Sequence, residues 1–253
     1  MLSALVGVAW ACWPQVGCEL PSTEVASHVS SSDVHAFVVG GHGNGSRNGN
    51  TGVYQQVEAD VALSISTDLA GALASVPGIR TTLGRTVGER PSYETRLERL
   101  VDSGADCLLD IHTDSRPEYM YEWVDDTGTT VWRNDRQAGF AVLFNESGPL
   151  GSQRRELARA LALELAEAGL PPYTLGYGPT YDADRVPGVY IDRRGLMMLR
   201  APGVPSVIIE SHHALDVWEA ARWREERTRQ VFAVGVANGL FRWRHAAVAS
   251  RAD

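Results

Sequence analysis

The sequence predicts a single α/β domain, with helices layered on a twisted, mainly parallel sheet. Three observations predict it. From Val34 onward, apolar strand-like runs alternate with amphipathic helical patterns. No internal repeat interrupts that alternation. The chain of 253 residues is long enough to bury a full-sized core without covalent staples.

Taken in order, the first 33 residues read as a leader and a linker. Leu2–Trp13 is an apolar run too short to span a bilayer. It fits the apolar region of an export signal, although no Arg precedes it. Gln15-Val16-Gly17-Cys18 weakly resembles a lipoprotein cleavage site. The expectation is an exported protein of the cell envelope or periplasm, with the run removed or a lipid anchor at Cys18. A mis-assigned start, or an apolar strand and loop, is the competing account. The Ser-rich stretch Pro21–Asp33 reads as a linker.

The domain proper is expected over 34–243, with a short C-terminal tail over 244–253. Strands are expected at His35–Gly40, Ile79–Leu83, Cys107–His112, Gly139–Phe144 and Ser206–Glu210. Helices are expected at Ala59–Leu73, from a Ser92 cap through Leu100, at Gln153–Ala168 and at Val217–Leu240. Met120–Trp132 reads as a β-hairpin turning at Asp126–Gly128. Pro171–Gly195 reads as a loop.

Composition narrows the chemistry. The net charge of −8 argues against nucleic-acid binding. All 23 basic residues are Arg, which removes Schiff-base, P-loop lysine and Ser-Lys chemistry. Three Cys are too few and too uneven for a disulfide framework or a Cys-rich zinc module. There is no G-x-S-x-G elbow. His and carboxylates remain.

Among the seven His, only those at His42, His112 and the His212-His213 pair follow an apolar strand directly. Ligand sites of open parallel sheets lie at the carboxyl ends of strands, so these positions can converge. GGHGNG is not a dinucleotide fingerprint, because Ser46 stands where its third Gly belongs. Glu58 opens the first helix, where a carboxylate also suits the helix dipole. Glu210 ends the apolar run PSVIIE, which carries its carboxylate toward the strand-end cleft. A salt bridge to Arg193 or Arg200 is the competing role for it. Two His, a carboxylate and an open position suit a catalytic zinc, with a separate Glu as base.

The segments VVGGHGNG, VEADVALSISTDLAGAL, GIRTTLGRT, ETRLERLVDSGADCLLDIHTDS and LRAPGVPSVIIESHH together resemble the zinc-dependent N-acetylmuramoyl-L-alanine amidases of the type 3 family, over about Val34 to Leu240. The resemblance implies a sheet of about six strands flanked by helices, zinc held by His42, Glu58 and His112, and Glu210 as the catalytic carboxylate. Arg85 and Arg96 fall at smaller family landmarks. It also implies peptidoglycan as substrate, cut at the amide between N-acetylmuramic acid and L-alanine.

The chain departs from the family at several pocket positions. Gly43-Asn44-Gly45-Ser46-Arg47 replaces the usual Gly-Gly and Asp-x-Gly-Ala steps, His212-His213 replaces Gly-Phe, and Asp114 stands where Asn is usual. His212 and His213 are readable as substrate contacts, alternative ligands or supporting donors. A metal-dependent amidase or carboxypeptidase acting on another acyl-amino acid or peptide therefore stays open, as does a non-catalytic wall-binding module. No substrate-binding residue is assigned from sequence.

Overall fold

The computed structural model describes residues 33–249. The Leu2–Trp13 run, Cys18 and nearly all of the Ser-rich linker lie outside the described residues. The domain opens with β1 (Val34–Gly40), all seven residues of which are buried. Strands buried on both faces read as continuous apolar runs, which is why this one is visible in the sequence. α1 (Glu58–Ala74), β2 (Ile79–Leu83), α2 (Tyr93–Ser103) and β3 (Cys107–Asp114) continue the strand–helix alternation. Ser92 caps α2 by accepting from the Thr95 amide, and Gly104 ends it in the left-handed conformation.

Next comes the hairpin of β4 (Tyr121–Val124) and β5 (Thr130–Arg133), an antiparallel pair set apart from the main sheet. Its turn is built on Asp125, whose carboxylate accepts from the amides of Thr127 and Thr129. Then come β6 (Ala141–Phe144), α3 (Gly151–Glu167), β7 (Tyr181–Ala183), β8 (Val189–Asp192) and α4 (Met197–Arg200). β9 (Ser206–His213), α5 (Val217–Arg222) and α6 (Glu226–Ala249) close the described chain.

The main sheet has seven strands in the order β2-β1-β3-β9-β6-β8-β7. β2, β1, β3 and β9 are parallel; β6 runs against β9, β8 lies parallel to β6, and β7 runs against β8. The period-2 alternation of strand side chains sorts the core. Val34, Ala36 and Val38 pack with Ile65, Leu69 and Leu73 of α1, Leu157 and Leu161 of α3, and Phe232 and Val236 of α6. Phe37 and Val39 face the other way, toward Leu100 and Met198. Each buried Val, Leu, Ile, Phe or Met side chain contributes about 1.5–3 kcal/mol.

Three sequence expectations are corrected. The sheet has seven strands, and the Pro171–Gly195 stretch read as a loop contains two of them. These strands are three and four residues long, too short for periodicity to register, and they exist because β6 offers a pairing edge. Val217–Leu240 is two helices, not one. Trp223 breaks it: its side chain is buried against His212 and Phe232, and its carbonyl accepts from Arg229 Nε. Finally, α6 continues to Ala249, past the Leu240 expected as the end of the last helix.

This topology sets β1, β3 and β9 side by side with their carboxyl ends on one edge. His42 comes two residues after β1, His112 lies near the end of β3, and Glu210 is its register partner on β9.

Candidate metal centre and active site

Glu58 is the first residue of α1 and its side chain is buried. Its Oε1 lies 2.9 Å from His112 Nδ1 and its Oε2 lies 3.1 Å from His42 Nε2. One potential ligand atom from each of His42, Glu58 and His112 can be chosen so that all lie within 4.8 Å of one another. Burial alone would raise the Glu58 carboxyl, but the hydrogen bonds to His112 and then His42 outweigh it and hold it well below the usual carboxylate range. His112 moves the other way: burial lowers it, while Asp110 and Glu58 together raise it well above an ordinary imidazole.

Backbone and side-chain supports hold this cluster. His42 has a φ of 53°, a left-handed conformation rare for a residue with a side chain, and such strain costs about 1–3 kcal/mol. Arg96, fully buried, donates to the His42 carbonyl and to the Gly40 carbonyl at 3.2 Å. Arg85, also buried, donates to the carbonyls of Gly40 at 2.9 Å, Gly41 at 3.0 Å and Ala59 at 2.5 Å. Desolvation lowers the Arg85 guanidinium to about 10. The two cations tie the His42 loop to the start of α1. Asn50 fixes the carboxylate from the loop side: its amide N and Nδ2 donate to Glu58 Oε2 at 3.0 and 2.7 Å, and Nδ2 also reaches the Thr113 carbonyl at 2.8 Å.

The donor set fits a zinc ion: two imidazoles and a carboxylate, converging and backed by hydrogen bonds. The space around it is shaped for that set. A Cβ at Gly49, whose φ is +79°, would lie 2.4 Å from Glu58 Oε2 and 2.7 Å from His42 Cδ2. Only glycine lets the loop pass there.

Glu210 lines the same cavity, of about 570 Å³, with His42, Glu58, His112, Asp114, Arg47 and Arg194. Its Oε2 is buried without a hydrogen-bond partner among the described residues. Burial, and next the Asp114 carboxylate, push its pKa well above the normal range. The salt-bridge alternative is not what the structure shows: among the described residues Glu210 has no ion pair, and Arg193 pairs with Asp182 and Glu146. Asp114 is occupied by Arg116 Nε at 2.7 Å and by the Tyr177 hydroxyl. Tyr177 comes from the stretch read as a loop, so that stretch forms part of the wall beside the cleft.

His212 and His213 do not join the cluster. Between the pairs His112–Glu210 and Asp114–His213, β9 has one residue more than β3, a bulge that re-aims the end of the strand. His212 stacks on Trp223 with ring centroids 5.1 Å apart and an interplanar angle of 12°. It lines a separate hollow between α1 and α5. The amide of His213 donates to Glu219 Oε2 at 2.8 Å, and among the described residues its buried Nε2 has no partner. Sequence reasoning did not single out Asn50 or Asp110. Asp110 carried one signal, a charge inside the apolar run CLLDIH.

Two imidazoles near strand ends and a carboxylate at a helix start, which could hold a metal beside the Glu210 carboxyl, are equipment suited to a hydrolase. The family model for N-acetylmuramoyl-L-alanine amidase matches residues 37–242, and the chain belongs to that family. It is a peptidoglycan amidase, a hydrolase of the muramoyl–alanine amide bond. Among solved structures, the N-acetylmuramyl-L-alanine amidase Ami1 from Mycobacterium smegmatis is similar with a TM-score of 0.65 and 19% identity, over 85% of this chain and 98% of that one. An N-acetylmuramoyl-L-alanine amidase from Clostridium difficile gives a TM-score of 0.64 and 20% identity, over 87% and 100%. Amidase AmiC2 of Nostoc punctiforme gives 0.60 and 18%, over 84% and 97%. No curated protein matches the chain significantly in sequence.

Proposed function

We propose that the protein is a zinc-dependent N-acetylmuramoyl-L-alanine amidase in which His42, Glu58 and His112 hold the metal and Glu210 moves the proton. The observation that carries this reading is the convergence of the three ligating side chains on the cavity that Glu210 also lines. Zinc bound there would supply Lewis acidity toward the scissile carbonyl and toward water.

The remaining work falls to the chain's own residues. Glu210 takes a proton from the attacking water and returns it to the leaving amine, which an unactivated amide requires. Its burial favours holding the proton between those two events, and the positive charge of Arg116 favours the ionised form that accepts it. With a net charge of −8, the protein gains nothing from its overall field toward an anionic polymer, so recognition rests on local contacts. Arg47 and Arg194 line the cleft wall, and Arg194 is ion-paired with Asp192, so Arg47 supplies the positive charge there. Because the substrate lies outside the cytoplasm, we place the working protein there as well. Among the described residues no helix is long and apolar enough to cross a membrane.

The test is hydrolysis of purified peptidoglycan beside a panel of short acyl-peptides, using zinc-loaded and chelator-treated protein. Release of muropeptide with new L-alanine amino termini, lost on chelation and restored by zinc, is the expected result. Turnover indifferent to chelation, or confined to the small peptides, would overturn the reading.

A further inference from the structure

We propose that Asp110 is a positioning residue for His112: its carboxylate accepts the Nε2–H of the imidazole and thereby leaves Nδ1 as the nitrogen presented to a metal. The inference rests on the metal-centre reading above and adds to it the residue that selects the ring nitrogen.

The geometry comes from the pleat of β3. Asp110 and His112 are two residues apart on one strand, so their side chains leave the same face. Asp110 Oδ2 lies 3.4 Å from His112 Nε2, while Oδ1 is buried with no partner among the described residues. That contact is long for an N–H···O bond, but the carboxylate has accepting capacity to spare. The two edges of the imidazole face different surroundings. The Nε2 edge faces the Asp110 carboxylate, and Gly41 packs over the ring, where a Cβ would lie 2.2 Å from Nε2 and 2.3 Å from Cε1. The Nδ1 edge faces Glu58 Oε1 at 2.9 Å, and through Glu58 it faces His42.

A neutral imidazole has one N–H and one lone pair, and whichever nitrogen keeps the proton cannot bind metal. Metal-binding His commonly give their other N–H to a carboxylate, which fixes tautomer and ring orientation. Asp110 is the carboxylate placed to do this. It is 1% exposed, and a carboxylate so deeply buried needs a partner. Arg85 and Arg96 lie close enough to be raised by its charge, yet their hydrogen bonds go to the carbonyls of Gly40, Gly41, His42 and Ala59. Neither forms a salt bridge with Asp110, so among the described residues the nearest charged or chargeable partner of its carboxylate is His112. Compensating the two buried cations is the purely structural role open to the same residue, and the experiment separates the two.

The full chain and the variants D110S and D110N are titrated with zinc against a competing chelator. The melting temperature of each zinc-free protein is recorded. The imidazole nitrogens of His112 are observed by NMR with ¹⁵N-labelled histidine, with and without zinc. In the zinc-loaded parent, Nε2 should carry the proton and Nδ1 the metal. D110S should bind zinc about 10–100-fold more weakly, the usual cost of losing such a partner. D110N keeps an acceptor oxygen and should fall between the two. If D110S does not fold, D110N and the parent spectrum decide. Zinc on Nε2 in the parent, or both variants binding zinc as tightly as the parent with only their melting temperatures changed, would overturn the proposal. A parent that binds no more zinc than H42A does removes the metal-centre reading itself, and this inference with it.

Discussion

His112 and Glu210 are register partners on the adjacent parallel strands β3 and β9, and both line one cavity. Neighbouring strands are held about 4.8 Å apart by their backbone hydrogen bonds. A proposed metal ligand and a proposed proton carrier are therefore spaced by the sheet itself, not by a loop. The bulge that re-aims His212 begins only after that pair.

Glu210→Gln keeps the size of the side chain and removes the charge. Turnover on peptidoglycan should fall by about 10²–10⁴-fold, the usual contribution of a general acid–base group. Zinc content should stay unchanged, and the melting temperature should hold or rise, since an unpaired buried carboxylate is lost. A stable, zinc-loaded variant with parental turnover would sink the role assigned to Glu210.

His42→Ala, Glu58→Ala and His112→Ala should each lower bound zinc and turnover together, from about one zinc per chain in the parent. Metal analysis after gel filtration reads this directly. Glu58→Ala should also release Asn50, whose two donors converge on the lost oxygen. Full metal retention in all three variants would defeat the assignment.

Gly49→Ala tests the shape of the centre. The new methyl would fall inside contact distance of both Glu58 and His42, at a φ of +79° that a side chain resists. The expectation is a larger loss of zinc affinity than Ala causes at Gly45, which is also at positive φ but has nothing within 4 Å of its Cβ. Equal effects at the two sites would mean that backbone strain alone is at work.

Acid should weaken the zinc-free protein partly through His212. Burial, and then the nearby His213, depress its pKa to about 3. Below the unfolded value of about 6.5 the unfolded chain binds the proton and the folded chain does not. The stability contribution is thus complete above that value and is lost as the pH falls through the window toward about 3. In His212→Asn, the slope of unfolding free energy against pH between 6 and 4 should shrink by up to about 1.4 kcal/mol per pH unit. Urea titrations across that range measure it, and parallel curves for parent and variant would refute it.

Much of the frame was legible in the sequence because its causes are local. β1, β3 and β9 lie inside the sheet and are buried on both faces, so they stand out as apolar runs. Ser92 and Gly104 mark the ends of α2 by their own backbone chemistry. The same runs point to His42, His112 and Glu210, because each stands at or just past the end of an apolar run. Glu58 is different: by itself it is a helix-start carboxylate, and its relevance came through the family resemblance.

Only the tertiary structure decided the features that depend on a distant neighbour. β7 and β8 are strands because β6 presents an edge to them. The terminal helix divides because Trp223 is drawn down onto His212 and Phe232. His212 and His213 are adjacent in sequence, yet the bulge in β9 sends them into different surroundings, away from His42, Glu58 and His112. Asn50 and Asp110 matter through the atoms they approach, Glu58 Oε2 and His112 Nε2. Periodicity and composition carry a residue's own preferences over a turn or a strand. They carry no distances, and hydrogen-bonding partners and pairing edges are distances.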